Sequence, residues 1–314
     1  MRPFHGSPAD RIVTPSADRR TALLITLNFA AIYLLWGSTY LAIRTAVQEL
    51  PPALMAGTRF LVAGLILFGF LRLRRVPLPP RAMLGPIALT GMLLLFAANL
   101  LVTVAEMTVT SGMAAVIVAN LPFFMVVLEA RRRDGERITW LGALGLVIGF
   151  AGMLLLTWPK LSLLGARGLS DMRGEFMLLG ANLCWAIGSI YSKHRVRGVA
   201  PLMAVALEML IAGMALCLLG LVLGEAGRFH PTPRSAFAVL WLIVAGSLFG
   251  YSAYMWLLGH VPAVKLSTYA YVNPVIALFL GWLILDERLD WRMGVGTLVI
   301  LGGVAVVNLA RVRV

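Results

Sequence analysis

Two charged residues, Arg59 and Glu208, lie well inside long apolar stretches of this sequence. A charge buried in hydrocarbon is costly, so such residues mark a substrate or ion pathway or are held by structural partners. An arginine can hold an anionic group there, and a glutamate can take up and release a proton. The structural alternative pairs each residue locally. Because their helices should run in opposite senses, we expect the two charges to differ in depth by about 10 Å and to tie down separate halves of the molecule.

Uncharged polar side chains form a second group inside apolar stretches. In lipid they turn inward, where they either bond neighbouring helices or line a cavity. Taken together they predict a largely neutral pocket, and fifteen methionines add an adaptable apolar lining. A small zwitterionic or amphipathic metabolite fits such a pocket best. The predicted cavity residues are Trp36, Ser38, Tyr40, Asn99, Asn120, Asn182, Trp185, Ser189, Tyr191, Tyr251, Tyr254, Tyr269, Tyr271 and Asn273.

Two prolines lie in apolar stretches at matching places, Pro122 and Pro274. Each removes an intrahelical hydrogen bond and can kink its helix. Kinked helices at matching positions of two repeats point towards a binding site, so the pair is predicted to gate it. Harmless kinks are the alternative.

Residues for catalysis or metal binding are not clustered. Glu106 and Glu129 lie at the ends of apolar stretches, where we expect them to be solvated. The sequence has no Gly-x-x-x-x-Gly-Lys-Ser/Thr phosphate loop, no His-Glu-x-x-His and no paired-cysteine motif. We therefore predict no catalytic residue, no metal and no cofactor. The four histidines, at loops or the ends of apolar stretches, are His5, His194, His230 and His260.

Long helices must position these side chains, because the chain is too apolar for a soluble domain. Of its 314 residues 60% are hydrophobic and 13% charged, and the mean hydropathy is +0.88. About 20 apolar residues span a bilayer, and a helix satisfies all of its backbone groups in hydrocarbon. We predict an all-α membrane protein with ten transmembrane helices, at residues 23–43, 53–71, 83–105, 111–128, 138–156, 174–192, 200–223, 236–258, 263–285 and 292–310.

The sequence also repeats itself at an interval of 151 residues. Gly-Ser-x-Tyr at 37–40 returns at 188–191, and Glu-Arg-x-x-Trp at 136–140 returns at 287–291. Similar halves in so apolar a chain are typical of a transporter whose substrate site lies between the repeats. Glycines spaced three or four apart on the fifth span predict a close helix contact, within the chain or between protomers; they are Gly142, Gly145, Gly149 and Gly152.

Each half holds five predicted spans, an odd number, so the second half enters the membrane in the opposite sense. This is an inverted repeat about a pseudo-twofold axis in the membrane plane. The predicted parts are a cytoplasmic tail at 1–22, a first repeat at 23–157, an external loop at 158–172, a second repeat at 173–310 and a cytoplasmic C-terminus at 311–314.

The net charge of +13 does not indicate nucleic-acid binding, because the arginines sit in short loops between apolar stretches. With both termini cytoplasmic, the inner segments carry seventeen of the 27 lysines and arginines and the outer loops eight. That excess is the positive-inside pattern of an inner-membrane protein.

Short motifs in several spans resemble those of a known protein family. Two of them are Trp36-Gly37-Ser38-Thr39-Tyr40 in the first span and Ser-Thr-Tyr-Ala-Tyr-Val-Asn-Pro at 267–274. With Ala-Gly-Thr-Arg-Phe at 56–60 and Asp-Glu-Arg at 286–288, they resemble EamA-type members of the drug/metabolite transporter superfamily, most narrowly the YedA-type bacterial inner-membrane exporters. The resemblance covers residues 25–310. It implies ten spans, cytoplasmic termini, secondary transport of small metabolites and a cavity surrounded by the first, third, fourth, sixth, eighth and ninth spans.

The residues and the resemblance together predict a secondary transporter in the bacterial inner membrane. It would move amino-acid-like or amphipathic metabolites outward by alternating access. A facilitative uptake permease and a polytopic enzyme acting on a lipid intermediate are the alternatives. The expected partners are a small-molecule substrate and the lipid bilayer but no nucleic acid. Proton coupling through Glu208 is an open alternative, and the oligomeric state is left open.

Overall fold

The fold was determined as a computed structural model that describes residues 15–133, 135, 137–164, 172–285, 291–309 and 312–313. Most of the predicted cytoplasmic tail and half of the predicted external loop lie outside these residues. So does the second Glu-Arg pair, at 287–288.

Helices account for almost all of the described chain, so the all-α prediction is confirmed. The α-helices are α1 (Pro15–Val47), α2 (Pro52–Leu73), α3 (Arg81–Gly91), α4 (Asn99–Ala105), α5 (Ser111–Val118), α6 (Leu121–Ala130), α7 (Trp140–Leu164), α8 (Arg173–Arg195), α9 (Pro201–Val222), α10 (Pro233–Trp241), α11 (Ser252–Leu258), α12 (Ala263–Leu266), α13 (Tyr269–Leu285) and α14 (Trp291–Leu309). Met92–Ala98 and Leu242–Tyr251 are π-helical, and Glu225–Arg228 is a 3₁₀ turn.

Six helical stretches within the described residues are long and apolar enough to cross a membrane, which agrees with a membrane protein. They are Arg19–Val47, Pro52–Leu73, Arg81–Ala105, Ser111–Ala130, Pro201–Val222 and Pro233–Leu258. Shorter apolar helical stretches occur at Trp140–Leu155 and Gly294–Val307. The arrangement of ten spans in two inverted repeats stays a prediction.

Helices from the two halves pack closely at glycines. α2 packs along α9, and α7 along α14. A Cβ atom at Gly213 would lie 2.5 Å from the backbone nitrogen of Leu61, and one at Gly303 would lie 2.5 Å from that of Gly149. Only residues without a side chain allow backbones this close. The glycine face of the fifth span, which includes Gly145 and Gly152, therefore makes an internal contact.

Irregular segments occur at corresponding places in the two halves. The π-helical segments follow α3 and α10, about 150 residues apart. The next helical stretch is also broken in each half, at residues 119–120 and 267–268. Broken and π-helical segments within helices are typical of functional sites.

Side chains donate hydrogen bonds to main-chain carbonyl groups beside both breaks. The Asn120 and Asn182 amides each donate to the carbonyl of Ile117 at 3.0 Å. The Ser267 and Thr268 hydroxyls donate to main-chain carbonyls at 2.7 Å in the second break. Side chains thereby supply hydrogen bonds where the regular helical pattern is interrupted.

Only one of the two breaks can be attributed to its proline. Pro122 lies at the second position of α6 and has no N–H for the carbonyl of Val118, where α5 ends. Pro274 lies inside α13, six residues beyond the break at 267–268. Pro274 therefore interrupts the hydrogen bonds of α13 itself, while Ser267 and Thr268 end α12 before it. The gating role of both prolines stays a prediction.

A short antiparallel pairing joins two distant parts of the chain. Strand β1 (Arg137–Ile138), after α6, pairs with β2 (Val312–Arg313), after α14. The connection between α6 and α7 therefore lies at the same end of the molecule as the C-terminal residues. This agrees with the sequence prediction that both lie on one side of the membrane.

Candidate functional site

A cavity of about 80 Å³ lies between helices of the two halves. Helices or π-helical segments from all six spans expected around it contribute, and α2 adds Arg59 and Phe60. The lining residues are Trp36, Thr39, Tyr40, Ile43, Arg59, Phe60, Leu95, Ala98, Asn99, Val102, Val118, Leu121, Ala181, Asn182, Trp185, Gly246, Tyr251, Tyr269 and Asn273. Eight of the predicted cavity residues and Arg59 are thus brought together.

Four aromatic rings, each from a different helical segment, form one wall of the cavity, namely those of Trp36, Trp185, Tyr251 and Tyr269. The Trp36 ring meets the rings of Trp185, Tyr254 and Tyr269 at centroid distances of 5.5, 5.2 and 5.0 Å. The Trp185 ring also meets that of Tyr251, at 6.3 Å. Most of these contacts are edge-to-face, the arrangement that aromatic quadrupoles favour. The wall offers flat apolar surface to a bound molecule.

Hydrogen bonds hold the two indoles of this wall. Trp36 Nε1 donates to the carbonyl of Gly246 at 3.0 Å, and Trp185 Nε1 donates to the Tyr254 hydroxyl at 3.0 Å. The Tyr254 hydroxyl is also 2.6 Å from Ser189 Oγ. Tyr254 and Ser189 do not line the cavity; they lie behind the wall and fix its geometry.

Two glycines of the second π-helical segment make room for cavity side chains, Gly250 for the Trp36 ring and Gly246 for the Arg59 guanidinium. A Cβ atom at Gly250 would lie 2.3 Å from Trp36 Nε1, and one at Gly246 would lie 2.7 Å from Arg59 Nη2. Neither position can carry a side chain without moving a cavity residue.

Both intramembrane charges bind the second π-helical segment, one turn apart. Arg59 Nε donates to Ser247 Oγ at 2.9 Å, and its Nη1 lies 3.4 Å from Asn99 Oδ1. The Tyr251 hydroxyl donates to Glu208 Oε2 at 2.7 Å. The two charges form no ion pair with each other in the described part of the chain, as expected. The expectation that each charge ties down its own half is wrong for Arg59, which reaches Ser247 in the other half.

Three buried side chains near the cavity have polar atoms without a hydrogen bond. Neither amide atom of Asn273 meets the geometry of a hydrogen bond, although the side chain is 1% exposed and lines the cavity; the hydroxyl of Tyr40, another lining residue, lies beside it. Glu208 Oε1 lacks one, and so do both carboxylate oxygens of Glu106. A buried polar group left unpaired is costly, so such groups point to an absent partner such as substrate or water.

Glu106 and Glu129 are both fully buried, so the expectation that they are solvated is wrong. Glu106 follows α4 and lies within the electrostatic reach of Arg44, Arg59 and Tyr40. Glu129 Oε1 lies 3.5 Å from His194 Nε2. Other helices of the fold bury both carboxylates. The position of a residue along its predicted span does not reveal this burial.

Four predicted cavity residues are directed away from the cavity. Ser38 accepts from Trp241 Nε1 at 2.9 Å, Asn120 bonds the Ile117 carbonyl, and Tyr271 donates to the carbonyl of Leu146 at 3.2 Å. Tyr191 is half-buried and does not line the cavity.

The reason for three of these errors is helix geometry. Ser38, Tyr191 and Tyr271 each lie two residues from a side chain at or behind the aromatic wall, namely Trp36, Ser189 and Tyr269. Two residues are about 200° apart around an α-helix, so both cannot face the same cavity.

Several lining residues were not predicted because they are small or apolar. Thr39 and Ile43 lie three and seven residues after Trp36, and Leu95 and Val102 lie four before and three after Asn99. Helical spacing from the polar residues would have found them.

The cavity therefore presents flat aromatic surface, one guanidinium and the amide of Asn273. This set can bind an amphipathic molecule. Among the described residues, no three His, Cys, Asp or Glu side chains are grouped to hold a metal ion.

Comparison with known proteins agrees with these observations. An uncharacterised inner-membrane transporter of Escherichia coli, YedA, is 40% identical over 252 residues, which cover 80% of this chain and 79% of the relative. A probable amino-acid metabolite efflux pump of E. coli is 26% identical over 282 residues, 87% of this chain and 90% of the relative. A crystal structure of a protein with 19% identity superposes with a TM-score of 0.75 over 91% of this chain and 97% of that chain, which shows the fold alone.

The EamA-like transporter family matches the chain twice, at residues 23–158 and 172–309. The two matches cover nearly all of the chain and coincide with the predicted repeats. The protein therefore belongs to the EamA-like transporter family, within the drug/metabolite transporter superfamily.

Proposed function

We propose that this protein exports small amino-acid-like or amphipathic metabolites across the bacterial inner membrane. The cavity between the two halves is the substrate site. Ten spans in two inverted repeats carry it, with both termini cytoplasmic, and the cavity opens alternately to either side. The observation that carries the proposal is the buried amide of Asn273, which lines a cavity between the two halves beside the Tyr40 hydroxyl and forms no hydrogen bond of good geometry in the fold.

The chemistry of the cavity supports this substrate class. Arg59 retains N–H groups beyond those that bond Ser247 and Asn99, and these suit a carboxylate. The Asn273 amide supplies a donor and an acceptor for a further polar group. Trp36, Trp185 and Tyr269 suit an apolar or aromatic side chain. One of the relatives, the probable amino-acid metabolite efflux pump of E. coli, is named for substrates of the same class.

The matched irregular segments support alternating access. The π-helical segments and the two helix breaks recur at corresponding places in both halves. A cavity of about 80 Å³ is smaller than the roughly 300–1,000 Å³ typical of sites for small molecules. The lining helices must therefore move apart to admit a metabolite, and the irregular segments are where these helices bend.

Proton coupling is part of the proposal. Tyr251 lines the cavity and its hydroxyl bonds the Glu208 carboxyl, so a single side chain links Glu208 to the proposed substrate site. An exchange of substrate for protons requires such a link.

Counterflow in proteoliposomes tests the proposal. Vesicles with purified protein should take up labelled amino acids or amphipathic metabolites saturably, and an internal load of unlabelled substrate should accelerate this uptake. Flux that never saturates and shows no counterflow would contradict a carrier. Formation of a chemically altered product would indicate an enzyme instead.

A further inference from the structure

Two cationic side chains bond main-chain carbonyl groups in turns at opposite ends of the molecule. Arg44, in the last turn of α1, donates from Nη1 to the carbonyl of Glu106 and lies 3.4 Å from the carbonyl of Val109. Lys193, in the last turn of α8, donates from Nζ to the carbonyl of Val261 at 2.8 Å. Each cation thus joins the first long helix of its half to the turn between the third and fourth helical stretches.

The repeat relates these two contacts. Val109 and Val261 are 152 residues apart and lie in the turns after α4 and α11. Arg44 and Lys193 are 149 residues apart. The residue at the strict interval of 151 from Arg44 is Arg195, which is exposed and has no contact with this turn among the described residues. The donors therefore differ by two residues in register, but their carbonyl acceptors correspond closely.

Helix α8 shows that the two contacts lie at opposite ends. A Cβ atom at Gly174, at the start of α8, would lie 2.5 Å from the Val109 side chain, so this helix begins beside the Arg44 contact. Lys193 lies 19 residues further along the same helix, or about 28 Å at 1.5 Å per residue. The substrate cavity, lined by Ala181, Asn182 and Trp185 of α8, lies between these ends.

We propose that Arg44 and Lys193 are the two gate latches of the transport cycle, each holding one end of the cavity closed. Release of one latch while the other holds opens the cavity to one side only. The proposal rests on alternating access. It goes beyond the substrate site, because neither residue lines the cavity or contacts the proposed substrate groups.

The Arg44 latch also has a physical link to the cavity. Arg44 donates a hydrogen bond to the main-chain carbonyl of Glu106. The buried carboxylate of Glu106 interacts electrostatically with Arg44 and Arg59. Arg59 lines the cavity, and so does Tyr40, which also lies beside Glu106. A carboxylate bound at Arg59 would change the charge balance on Glu106 and so alter the turn that the latch holds.

Thiol labelling of a cavity residue tests the latches without a known substrate. Val118, which lines the cavity, is changed to cysteine in a background in which Cys184 and Cys217 are replaced by alanine. An impermeant maleimide is applied to intact cells and to inside-out vesicles. Arg44→Met should raise labelling from one side and Lys193→Met from the opposite side, each by about tenfold, as expected for the loss of a hydrogen bond from a charged group.

Matched controls separate a latch from a general loss of charge. Arg228→Met and Arg195→Met remove exposed arginines near the same two ends, and neither should change the labelling. Arg44→Lys and Lys193→Arg keep a cationic donor and should restore most of the original pattern. If Arg44→Met does not yield folded protein, Arg44→Gln retains a neutral donor and should give a smaller shift in the same direction.

Opposite shifts in the two variants support the proposal. Shifts in the same direction, or labelling equal to that of the parent, overturn it. The result is independent of the substrate proposal: opposite shifts in a protein that shows no counterflow would leave the latches in place and contradict the proposed substrates.

Discussion

At the scale of single residues, the cavity combines satisfied and unsatisfied polar groups, and this difference separates structural from functional roles. Asn120, Ser189 and Tyr254 have well-formed hydrogen bonds within the fold, whereas the Asn273 amide has none of good geometry and lies beside the Tyr40 hydroxyl. The sequence predicted all four as cavity residues because each is polar in an apolar stretch. It could not separate them, because hydrogen-bond partners come from helices distant in the chain.

The Asn273 amide leads to the first prediction. Asn273→Ala should raise the half-saturation concentration for transport about tenfold, as expected when one or two hydrogen bonds to substrate are lost. The thermal stability of the substrate-free protein should fall little, because the amide makes no hydrogen bond of good geometry within the fold and lies only beside the Tyr40 hydroxyl. Counterflow and thermal unfolding in detergent measure the two effects.

Asn28→Ala is the matched control, because the Asn28 amide bonds the Leu24 carbonyl on an exposed part of α1. Transport by this variant should equal that of the parent. A large loss of stability in Asn273→Ala, with unchanged transport by the remaining folded protein, would contradict a substrate role for Asn273.

Glu208 leads to the second prediction. Glu208→Gln retains an oxygen that accepts from the Tyr251 hydroxyl but cannot ionise. If Glu208 carries the proton, substrate-dependent proton movement should vanish while substrate counterflow survives. A pH-sensitive dye inside proteoliposomes and a labelled substrate measure the two fluxes.

The control for Glu208 is a second buried acid far from the cavity. Glu225 accepts from the backbone N–H of Leu54 at 2.8 Å and so caps α2, a role that glutamine can also fill. Glu225→Gln should leave both fluxes unchanged. Proton movement that persists in Glu208→Gln would show that this residue is structural.

At the scale of elements, the sequence predicted the positions of the helices better than their interiors. Composition and apolar length placed the stretches, because the bilayer requires both. The π-helical segments at Met92–Ala98 and Leu242–Tyr251 were not predicted, since no residue type is specific for them. They depend on tertiary contacts such as that of Trp36 with the Gly246 carbonyl.

The break before α6 leads to the third prediction. In Pro122→Ala the new N–H can bond the Val118 carbonyl, so α5 and α6 should join into one continuous helix. Because Val118 and Leu121 line the cavity on either side of this break, transport should fall several-fold while expression stays near normal. Initial rates of counterflow, normalised to folded protein, measure the change.

Pro86→Ala is the matched control, since Pro86 lies inside α3 and does not line the cavity. Its transport rate should stay close to that of the parent. Wild-type transport in Pro122→Ala would mean that the break in this helical stretch is structural only. Pro274→Ala should act more weakly than Pro122→Ala, because Ser267 and Thr268 end the preceding helix without it.

At the scale of the whole molecule, the repeat is what the sequence revealed most directly. The matched motifs at 37–40 and 188–191 indicated two similar halves, and the family matches at 23–158 and 172–309 agree with them. The sequence predicted only part of the contacts between the two halves. Arg59 was expected to bond residues of its own half, but it bonds Ser247 in the other half. The sequence could not predict this bond, because the periodicity of each half gives no information about contacts between the halves.

Membrane orientation leads to the last prediction. The positive-inside pattern places Arg132 in the cytoplasm and Met107, in the turn after α4, outside. Both side chains are exposed, so Arg132→Cys and Met107→Cys should be tolerated in a background without Cys184 and Cys217. In intact cells an impermeant maleimide should label only Met107→Cys; in inside-out vesicles it should label only Arg132→Cys.

Because strand pairing holds the connection after α6 against the C-terminal residues, a cysteine added after Val314 should behave like Arg132→Cys. Labelling of both positions from one side would contradict a membrane between them, and the reverse pattern would place the Arg44 latch on the cytoplasmic side.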